Sequence, residues 1–455
     1  MNGEETFKAF SGLKRLTLYS VGLSSRSKNV RYQLFAGLDV RNAIDPIQQQ
    51  DKMKSNITGL GYENGKRRTV GCSRKGKIWS MSSGSIADWK SWCDEIGAKL
   101  CDPNAQPNDF LKYTLIPSVI NELPKVPALM IDWPDQLFES SNFRFQVRSG
   151  DASHDFHDCQ LDIVEWGARQ SFTFVLSAGE NLKTRLALEI EPQRDEHGER
   201  DSTYRVRYVS GDRVTIQAAG EGWEDVSFFE ANPPLVRLAD GSQISGNILL
   251  KPREELPDTF ERSLIRTLDW TGVDFKKESR WKDGAFVDNS IQGRFIEHLA
   301  EGPATFIIDD DDQGESADVV SIEETTDSVI VNLWHCKFAG GATPGARADD
   351  LYVVCGQAEK STKWTWSFEN LVKHLLVREN EHRRGRPTRF ILGSAQELVT
   401  LRKSARRKFV VFRAGIVQPG LSKANAPPEH LAIIGGTNGF IRCITGEPLT
   451  VYASD

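Results

Sequence analysis

The chain has 455 residues and a formal net charge of −6, with 39% hydrophobic and 26% charged residues. These values are ordinary for a globular protein, and they exclude a wholly disordered chain, a collagen and a coiled-coil rod. Because a single hydrophobic core rarely grows beyond about 250–300 residues, the length predicts more than one domain.

Features of the sequence that report on cellular compartment favour the cytoplasm. The N-terminal stretch MNGEETFKAF lacks the pattern of a signal peptide, and no apolar run approaches the ~20 residues that span a bilayer. The seven cysteines include no C-x-x-C pair, and an odd number of scattered cysteines is typical of free thiols in a reducing compartment. We therefore expect a cytoplasmic protein that is not bound to a membrane.

Residues 1–140 mix strand-like runs with helical patterns and are predicted to form an α+β domain. The clearest helix is SIADWKSWCDEIGAKL, in which Ser85 can act as the N-cap. The residues Ile86, Trp89, Trp92, Cys93 and Ile96 form its apolar stripe.

Residues 141–254 are predicted to be rich in β-structure. Short runs of alternating polarity recur with turn residues between them: FRFQVRS, QLDIVEW, SFTFVLS, LALEIE, YRVRYV and RVTIQAA. This spacing favours a β-sandwich or a β-barrel.

Residues 255–455 alternate helical and strand patterns, which predicts a sheet flanked by helices. The predicted helices are TFERSLIRTLDW, SIQGRFIEHLAE, DDLYVVCGQAEKS and SFENLVKHLLVREN. The predicted strands are ATFII, ADVVSI, SVIVNLW, RFILG and KFVVFRAGIVQP.

The charge of the chain is concentrated in one basic segment. Residues 373–408 contain eleven Lys or Arg and three Glu, which leaves −14 on the rest of the chain. Such a segment is typical of a phosphate-binding surface or of a solvated helix face followed by a loop. As a DNA-binding surface it would use Arg383, Arg384, Arg386, Arg389, Arg402, Lys403, Arg406, Arg407 and Lys408.

Several common motifs are absent from the sequence. The stretch nearest to a Walker A motif, residues 59–66, has one residue too many and is followed by Arg67 where a Ser or Thr should bind Mg²⁺. There is no GxGxxG, GxSxG or HExxH motif. The stretch HDFHDC offers metal-ligating atoms, but its spacing matches no common zinc site.

Residues 290–361 carry the pattern with the most chemistry. Asp318 begins one predicted strand, and the next strand ends with His335 and Lys337, which share a face because side chains alternate along a strand. Carboxylates bind a hard cation that activates water, and a lysine beside them can orient that water or stabilise the charged transition state. The remaining candidates are Glu297 and the backbone carbonyl of Cys336 as metal ligands, and Gln357 and Lys360 as phosphate-binding groups.

Five elements follow one another in this region: a helix with a Glu, a strand, a strand that begins with an Asp, a strand that ends with x-x-Lys, and a helix with a Gln. This order resembles the core of the PD-(D/E)xK nuclease superfamily. The resemblance covers about 160–200 residues and implies a restriction-endonuclease-like domain that hydrolyses DNA with Mg²⁺ or Mn²⁺. It implies that Asp318 is a metal ligand and a catalytic residue, that Lys337 is the catalytic lysine, and that Gln357 assists. His335 stands where the family has its second acid.

The substitution of an imidazole for that acid leaves two alternatives. An imidazole binds Mg²⁺ less well than a carboxylate and favours Mn²⁺ or a softer ion. Either Glu297, Glu315 or an acid among residues 309–312 compensates, or the domain is an inactive, nuclease-like module that binds DNA or serves as a scaffold. RNA is a weaker alternative as the substrate, since no RRM-like or KH-like signature is present.

Over its whole length the chain resembles the C-terminal half of helicase-associated proteins of bacterial defence and mobile-element systems. The stretches that carry this resemblance are residues 61–66, GCSRKGKIWS, PPLVRLADGS, HCKFAGGATPGARADDLYVVCGQAEKS and IVQPGLSK. It implies a DNA substrate, a helicase or ATPase partner and a role in anti-phage or anti-plasmid defence. The sequence leaves open whether the chain forms a homo-oligomer.

Overall fold

The computed structural model shows a mixed α/β protein with more strand than helix. The chain forms two compact units, Met1–Val119 with Ile248–Leu256 and Ile120–Asn247 with Pro257–Asp455. The structure describes residues 5–25, 32–36, 52–63, 65–73, 76–81, 85–107, 114–134, 146–155, 158–167, 170–178, 182–194, 200–218, 221–252, 259–340, 348–381, 383 and 385–455.

The N-terminal elements are a 3-10 helix and strands that lead into a long helix. They are the 3-10 helix Glu5–Phe10, β1 (Lys14–Ser25), β2 (Tyr32–Ala36), β3 (Lys52–Glu63), β4 (Lys66–Ser73), β5 (Ile78–Trp79), α1 (Ile86–Cys101) and β6 (Leu115–Val119). The first five strands form an antiparallel sheet in the order β2-β1-β3-β4-β5.

Helix α1 begins where the sequence predicts. The hydroxyl of Ser85 accepts the N–H of Asp88, and the carboxylate of Asp88 accepts the N–H of Ser85, which completes a capping box. Only part of the predicted apolar stripe is buried, because Ile96 packs into the core of the first unit while Ile86 and Trp89 are exposed.

The central elements are mostly strands, as predicted. They are β7 (Ala128–Asp132), β8 (Gln146–Ser149), β9 (Ala152–Asp155), β10 (Cys159–Trp166), β11 (Ser171–Ala178), β12 (Leu182–Arg194), β13 (Arg200–Gly211), β14 (Thr215–Ala218), β15 (Glu221–Glu224), α2 (Asp225–Ala231), β16 (Leu235–Leu238), β17 (Gln243–Ser245) and β18 (Ile248–Pro252). All six predicted runs of alternating polarity contain a strand.

The central strands belong to several sheets. Strands β10 to β13 form an antiparallel meander, and a second sheet has the order β15-β14-β8-β9. Strand β16 lies between β7 and β17 in the second unit, whereas β18 pairs with β6 in the first unit.

The C-terminal elements alternate between helix and strand. They are β19 (Arg266–Thr267), β20 (Trp281–Lys282), β21 (Ala285–Phe286), α3 (Ile291–Ala300), β22 (Phe306–Asp309), β23 (Val319–Glu324), β24 (Ser328–Cys336), α4 (Ala348–Ser361), α5 (Phe368–Glu381), β25 (Phe390–Leu392), α6 (Ala395–Ser404), β26 (Phe409–Ser422), α7 (Pro428–Thr445) and β27 (Thr450–Ser454).

The first predicted helix of this region is wrong. The stretch TFERSLIRTLDW forms only a 3-10 turn, Arg262–Leu264, followed by β19. The guanidinium of Arg262 donates to the carbonyls of Ala424 and Ala426, and β19 pairs with β27, so contacts distant in sequence override the local helical pattern.

A seven-stranded sheet in the order β19-β27-β26-β24-β23-β22-β25 organises the C-terminal region. Strands β22, β23 and β24 form an antiparallel meander, while β26 runs parallel to β24 and β27 runs parallel to β26. Helix α3 covers one face through Ile291 and Phe295, and α5 covers the other through Leu371 and Leu375.

Strand β24 supplies side chains to both faces of this sheet. Leu333 faces the α5 side and Trp334 faces the α3 side, so His335 follows Leu333 onto the α5 side. Among the helices within the described residues, none combines the length and the apolar character needed to cross a bilayer.

Candidate metal site

Two neighbouring strands bring Asp318 and His335 together. Strands β23 and β24 pair with Val319 opposite Trp334, so the antiparallel register places Asp318 opposite His335. Oδ2 of Asp318 lies 3.6 Å from Nδ1 of His335, and both side chains are buried. The two residues therefore share one face at the same end of the sheet.

Glu315 completes a cluster with this pair. One ligand atom each from Glu315, Asp318 and His335 lie within 4.8 Å of one another. Both ring nitrogens of His335 are buried without a hydrogen-bond partner among the described residues. The sequence analysis considered Glu315 only as one of several acids that compensate for the histidine.

Neighbouring groups hold the Asp318 carboxylate in place. Oδ1 accepts a hydrogen bond of 3.2 Å from the side-chain amide of Gln292, which lies in the first turn of α3. Oδ2 accepts the backbone N–H of Cys336 at 2.8 Å. Both contacts fix the carboxylate between the strand end and the helix N-terminus.

The electrostatics of the cluster favour a cation. Burial raises the pKa of Asp318 well above its usual range, and the charge of Glu315 adds to the shift. Burial and the charge of Asp311 raise the pKa of Glu315 to about 8, while burial lowers the pKa of His335 to about 3. Two crowded acids and a neutral imidazole with free nitrogens form a donor set whose repulsion a divalent cation would offset.

Lys337 lies beyond the end of β24 and forms an ion pair with Glu278. Its amine is 2.9 Å from Oε2 of Glu278, and the same oxygen accepts the N–H of Phe338 at 2.7 Å. The charge of Glu278 also contributes to the raised pKa of Asp318. Lys337, Glu278 and the cluster therefore belong to one region of charge.

Glu278 is not among the residues that the sequence pattern predicts. It lies in an irregular segment before α3, where no periodic pattern marks a functional residue. Its carbonyl accepts the N–H of Gln292, so the segment is tied to the same helix turn that holds Asp318. An acid just before a predicted helix is too common a pattern to identify such a site.

Glu297 does not belong to the cluster. Its side chain is 71% exposed and lies 3.6 Å from Arg294 on the same helix. The buried face of α3 carries Ile291, Gln292, Phe295 and Ile296. Helical periodicity places residue 297 away from this face, so the proposal that Glu297 binds the metal is corrected: Gln292 is the α3 residue that reaches Asp318.

Gln357 and Lys360 lie on α4 beside a cavity of about 370 Å³ that Glu315 and His335 also line. Lys360 donates to the carboxylate of Asp162 and to the carbonyl of Leu161. Cys336 contacts Asp318 through its N–H, and its side chain packs in the core beside α3. The Glu315 and His335 side of the cluster therefore opens into this cavity.

The acidic run at residues 309–312 is not a solvated loop. Asp309 and Asp310 are buried, and Asp311 is nearly so. Oδ1 of Asp310 is 2.5 Å from Nε of Arg378, and Arg378 also donates to the carbonyls of Asp310 and Gln313. Burial alone would raise the pKa of Asp310, but the charges of Arg378, His374 and Arg389 together outweigh it and lower the pKa.

Two arginines expected to bind DNA are instead part of this buried network. Arg386 and Arg389 are 5% and 0% exposed and donate to backbone carbonyls of the acidic run. Their guanidinium groups satisfy buried acceptors that would otherwise be unpaired. This corrects the expectation that Arg386 and Arg389 grip phosphates.

The other arginines of the basic segment differ in their exposure and in their contacts. Arg383 is partly exposed and donates to the carbonyls of Glu379 and Pro387. Arg406 is exposed beside Glu369, and Arg407 is exposed. Arg384 lies outside the described residues.

The HDFHDC stretch makes ion pairs where its placement is described. Asp155 lies 3.0 Å from the amine of Lys373, and Asp158 lies 3.0 Å from Nδ1 of His374. His157 lies outside the described residues. These partners account for the two acids without a metal.

Comparisons with known proteins found no counterpart. No protein-family model matches the chain, and no curated protein and no solved structure matches it.

Proposed function

We propose that the chain is a metal-dependent nuclease that hydrolyses phosphodiester bonds in DNA. The observation that carries the proposal is the cluster of Glu315, Asp318 and His335 at the end of two neighbouring strands, with the Lys337 amine at the same end. Carboxylates, an imidazole and a lysine gathered at one strand end are the groups that metal-assisted hydrolysis requires.

The order of elements supports the same proposal. Helix α3, strands β22 to β24 with Asp318 and Lys337, and helix α4 with Gln357 follow one another along the chain. This is the order of the PD-(D/E)xK core that the sequence resembles. The helical acid of that pattern is not supplied by Glu297, whereas the charge of Glu278, in the segment before α3, does act on Asp318.

The residues present fit a divalent cation. One unpartnered nitrogen of His335 and the crowded carboxylates of Glu315 and Asp318 would hold it. A bound Mg²⁺ or Mn²⁺ supplies a Lewis acid that lowers the pKa of water and neutralises phosphate charge. The imidazole favours Mn²⁺ over Mg²⁺.

The chain's own groups prepare the reaction. Gln292 and the N–H of Cys336 fix the orientation of the Asp318 carboxylate. Lys337, held by Glu278, supplies a positive charge that stabilises negative charge developing on the phosphate. Lys360 places a second amine along the cavity that leads to the cluster.

A second candidate is an inactive nuclease-like module that binds DNA or serves as a scaffold. It is favoured by the histidine at the position of the second acid and by the raised pKa of Asp318 and Glu315, which shows that the ionised form of each acid is disfavoured without a cation. The helicase or ATPase partner and the defence role rest on the sequence resemblance, and the cytoplasmic location rests on the seven free cysteines.

Cleavage of a supercoiled plasmid tests the proposal. The wild-type protein is incubated with Mg²⁺, Mn²⁺ or EDTA beside the variants Asp318→Asn and Lys337→Met. We expect nicking with Mn²⁺, its loss in both variants, and its persistence in Glu297→Gln, which alters an exposed acid on α3. Bound but uncut plasmid with every ion would support the inactive module, and cleavage that survives both variants would overturn the proposed site.

A further inference from the structure

The cavity beside the cluster has walls that cannot move apart easily. Strands β7 and β10 form one side, and α4 with the following turn forms the other. Helix α4 approaches β7 so closely that a Cβ on Gly356 would lie 2.0 Å from the carbonyl oxygen of Leu129. Widening the cavity would require the separation of these packed elements.

The volume of the cavity limits what can enter it. Its 370 Å³ is near the lower end of ligand sites, which span about 300–1,000 Å³. A space of this size is on the scale of a small ligand and not of a base-paired duplex, in which the two strands face each other across a major groove about 12 Å wide.

The cavity is lined by polar groups that lack partners in the protein. His335 is 3% exposed, and neither ring nitrogen has a hydrogen bond among the described residues. Oε1 of Gln357 is likewise buried and unpartnered within the described part of the chain. Buried polar atoms without partners are costly, which indicates that a polar ligand satisfies them.

Two lysines supply the positive charges of the cavity, whose lining also contains Asp162 and Glu315. Lys360 is held by Asp162, whereas the amine of Lys363 forms no ion pair with any described residue and lies 5.8 Å from the centre of the Trp364 ring. Burial lowers the pKa of Lys363, although the charge of Asp132 opposes the shift. A partly buried lysine that forms no ion pair with the described residues suits an anion that arrives with the ligand.

We propose that this cavity binds a single unpaired nucleic-acid strand. One backbone phosphate lies against the Lys363 amine, and the next phosphodiester bond points towards the metal cluster. The inference rests on the proposed function for the chemistry at the cluster. It adds that the strand is cut where it is unpaired, as in a single strand, a strand end or a locally unpaired segment of a supercoiled plasmid, since a base-paired duplex cannot reach Glu315 and His335 through this opening.

Binding measured in EDTA tests the inference without any cleavage. Fluorescence anisotropy compares a labelled single-stranded DNA, the blunt duplex of the same sequence and an RNA strand of that sequence, at several salt concentrations. We expect the single strand to bind at least tenfold more tightly than the duplex. The RNA strand tells whether the cavity distinguishes the two sugars.

The variant Lys363→Met isolates the proposed phosphate contact. We expect it to weaken single-strand binding about fivefold to tenfold and to reduce the salt dependence by about 0.7, the contribution of one phosphate on a single strand. The matched control is Lys373→Met, which removes an exposed lysine outside the cavity and should leave binding nearly unchanged.

A second variant tests the cavity independently, in case Lys363→Met does not fold. Val353 lines the cavity and is 47% exposed, so Val353→Trp narrows the mouth without disturbing the core. The control Val209→Trp changes a similarly exposed valine on β13. Weaker single-strand binding in Val353→Trp alone supports the inference.

The outcomes separate this inference from the proposed function. Equal affinity for strand and duplex, or Lys363→Met behaving like its control, overturns the inference even if plasmid is cut. Selective single-strand binding without cleavage under any ion keeps the inference for the cavity and rejects the nuclease.

Discussion

Lys337 and Glu278 are separated by 59 residues in the chain, yet the amine lies 2.9 Å from the carboxylate. The lysine that the sequence pattern singles out is therefore positioned by an acid that the pattern does not contain. Glu278 also accepts the N–H of Phe338, so it holds both the side chain and the backbone at the end of β24.

Replacing Glu278 with Gln should reduce cleavage while leaving the metal ligands in place. The neutral amide still accepts hydrogen bonds but no longer holds the Lys337 amine by charge, so the amine loses its fixed position. A misplacement of about 1 Å can cost roughly a hundredfold in rate. We expect a fall in kcat with KM little changed, measured by steady-state cleavage of a labelled oligonucleotide.

The Glu278 variant needs a control that removes a charge elsewhere. Glu297→Gln serves, since that acid is exposed on the adjoining helix. Equal kcat values for the wild type and Glu278→Gln would show that the ion pair does not position Lys337 for the reaction.

Metal binding should be visible as a change in thermal stability. A ligand at about a hundred times its Kd stabilises the folded state by about 2.7 kcal/mol. We expect Mn²⁺ to raise the Tm of the wild type, and Asp318→Asn and His335→Ala to abolish this rise. Without metal, Asp318→Asn should be at least as stable as the wild type, because it removes one of two crowded acids.

Differential scanning fluorimetry with and without Mn²⁺ measures two quantities for each variant: the rise in Tm that the ion causes and the Tm without metal. If Asp318→Asn and His335→Ala keep the full rise in Tm, the ion binds elsewhere. Glu297→Gln should keep the full rise, because Glu297 does not contact the cluster.

The strands that carry the site were predictable because their patterns are local. Three short apolar runs mark β22, β23 and β24, and the antiparallel register then places Asp318 opposite His335. The predicted grouping of His335 with Lys337 relied on side-chain alternation within a strand, whereas Lys337 lies beyond the end of β24.

The acids that surround the site were not predictable in the same way. Glu278 lies in an irregular segment, and only the folded chain brings it to Lys337. The choice of Glu297 failed because one acid on a predicted helix does not show which face the helix buries. The burial of Arg386 and Arg389 depends on the acidic run that they pack against, which a count of charges does not reveal.

Variants of Arg386 and Arg407 should distinguish a structural role from a DNA-binding role within one basic segment. Arg386 is buried against Asp309 and the carbonyl of Asp311, so Arg386→Ala leaves a buried acid unpaired and should cost about 3–5 kcal/mol in the free energy of unfolding. Arg407 is exposed, so Arg407→Ala should change stability by less than about 0.5 kcal/mol.

Urea denaturation measures both changes, and DNA affinity is measured on the same samples. If Arg407 contacts a phosphate of duplex DNA, its loss should weaken binding and reduce the salt dependence by about 0.9. A stable Arg386→Ala variant with weakened DNA binding would return Arg386 to the list of DNA contacts.

Asp309 should make stability depend on pH in an unusual direction. Burial, with the charge of Asp311, raises its pKa from 3.8 to about 6, although Arg386 opposes the shift. Its carboxylate oxygens have no hydrogen-bond partner among the described residues, and the nearest cation is Arg386 at 3.5 Å. The ionised form is therefore more costly in the folded protein than in the unfolded chain.

The sign follows from proton uptake. Between pH 3.8 and about 6 the folded state holds a proton on Asp309 that the unfolded state has released, so this residue's contribution to stability falls as pH rises through that window. The full cost applies above about pH 6, and the shift corresponds to about 3 kcal/mol at about 1.4 kcal/mol per pKa unit. Asp309→Asn, which cannot ionise, should therefore gain up to that amount relative to the wild type between pH 4 and pH 7.

Comparing the two proteins at each pH isolates Asp309 from every other titrating group, because those groups are shared. The control Asp327→Asn alters an exposed acid in the same unit. A difference between Asp309→Asn and the wild type that stays constant with pH would mean that Arg386 compensates the buried charge fully. The acidic run would then be a neutralised ion-pair network, in which the carboxylates and arginines stabilise each other at every pH where the protein folds.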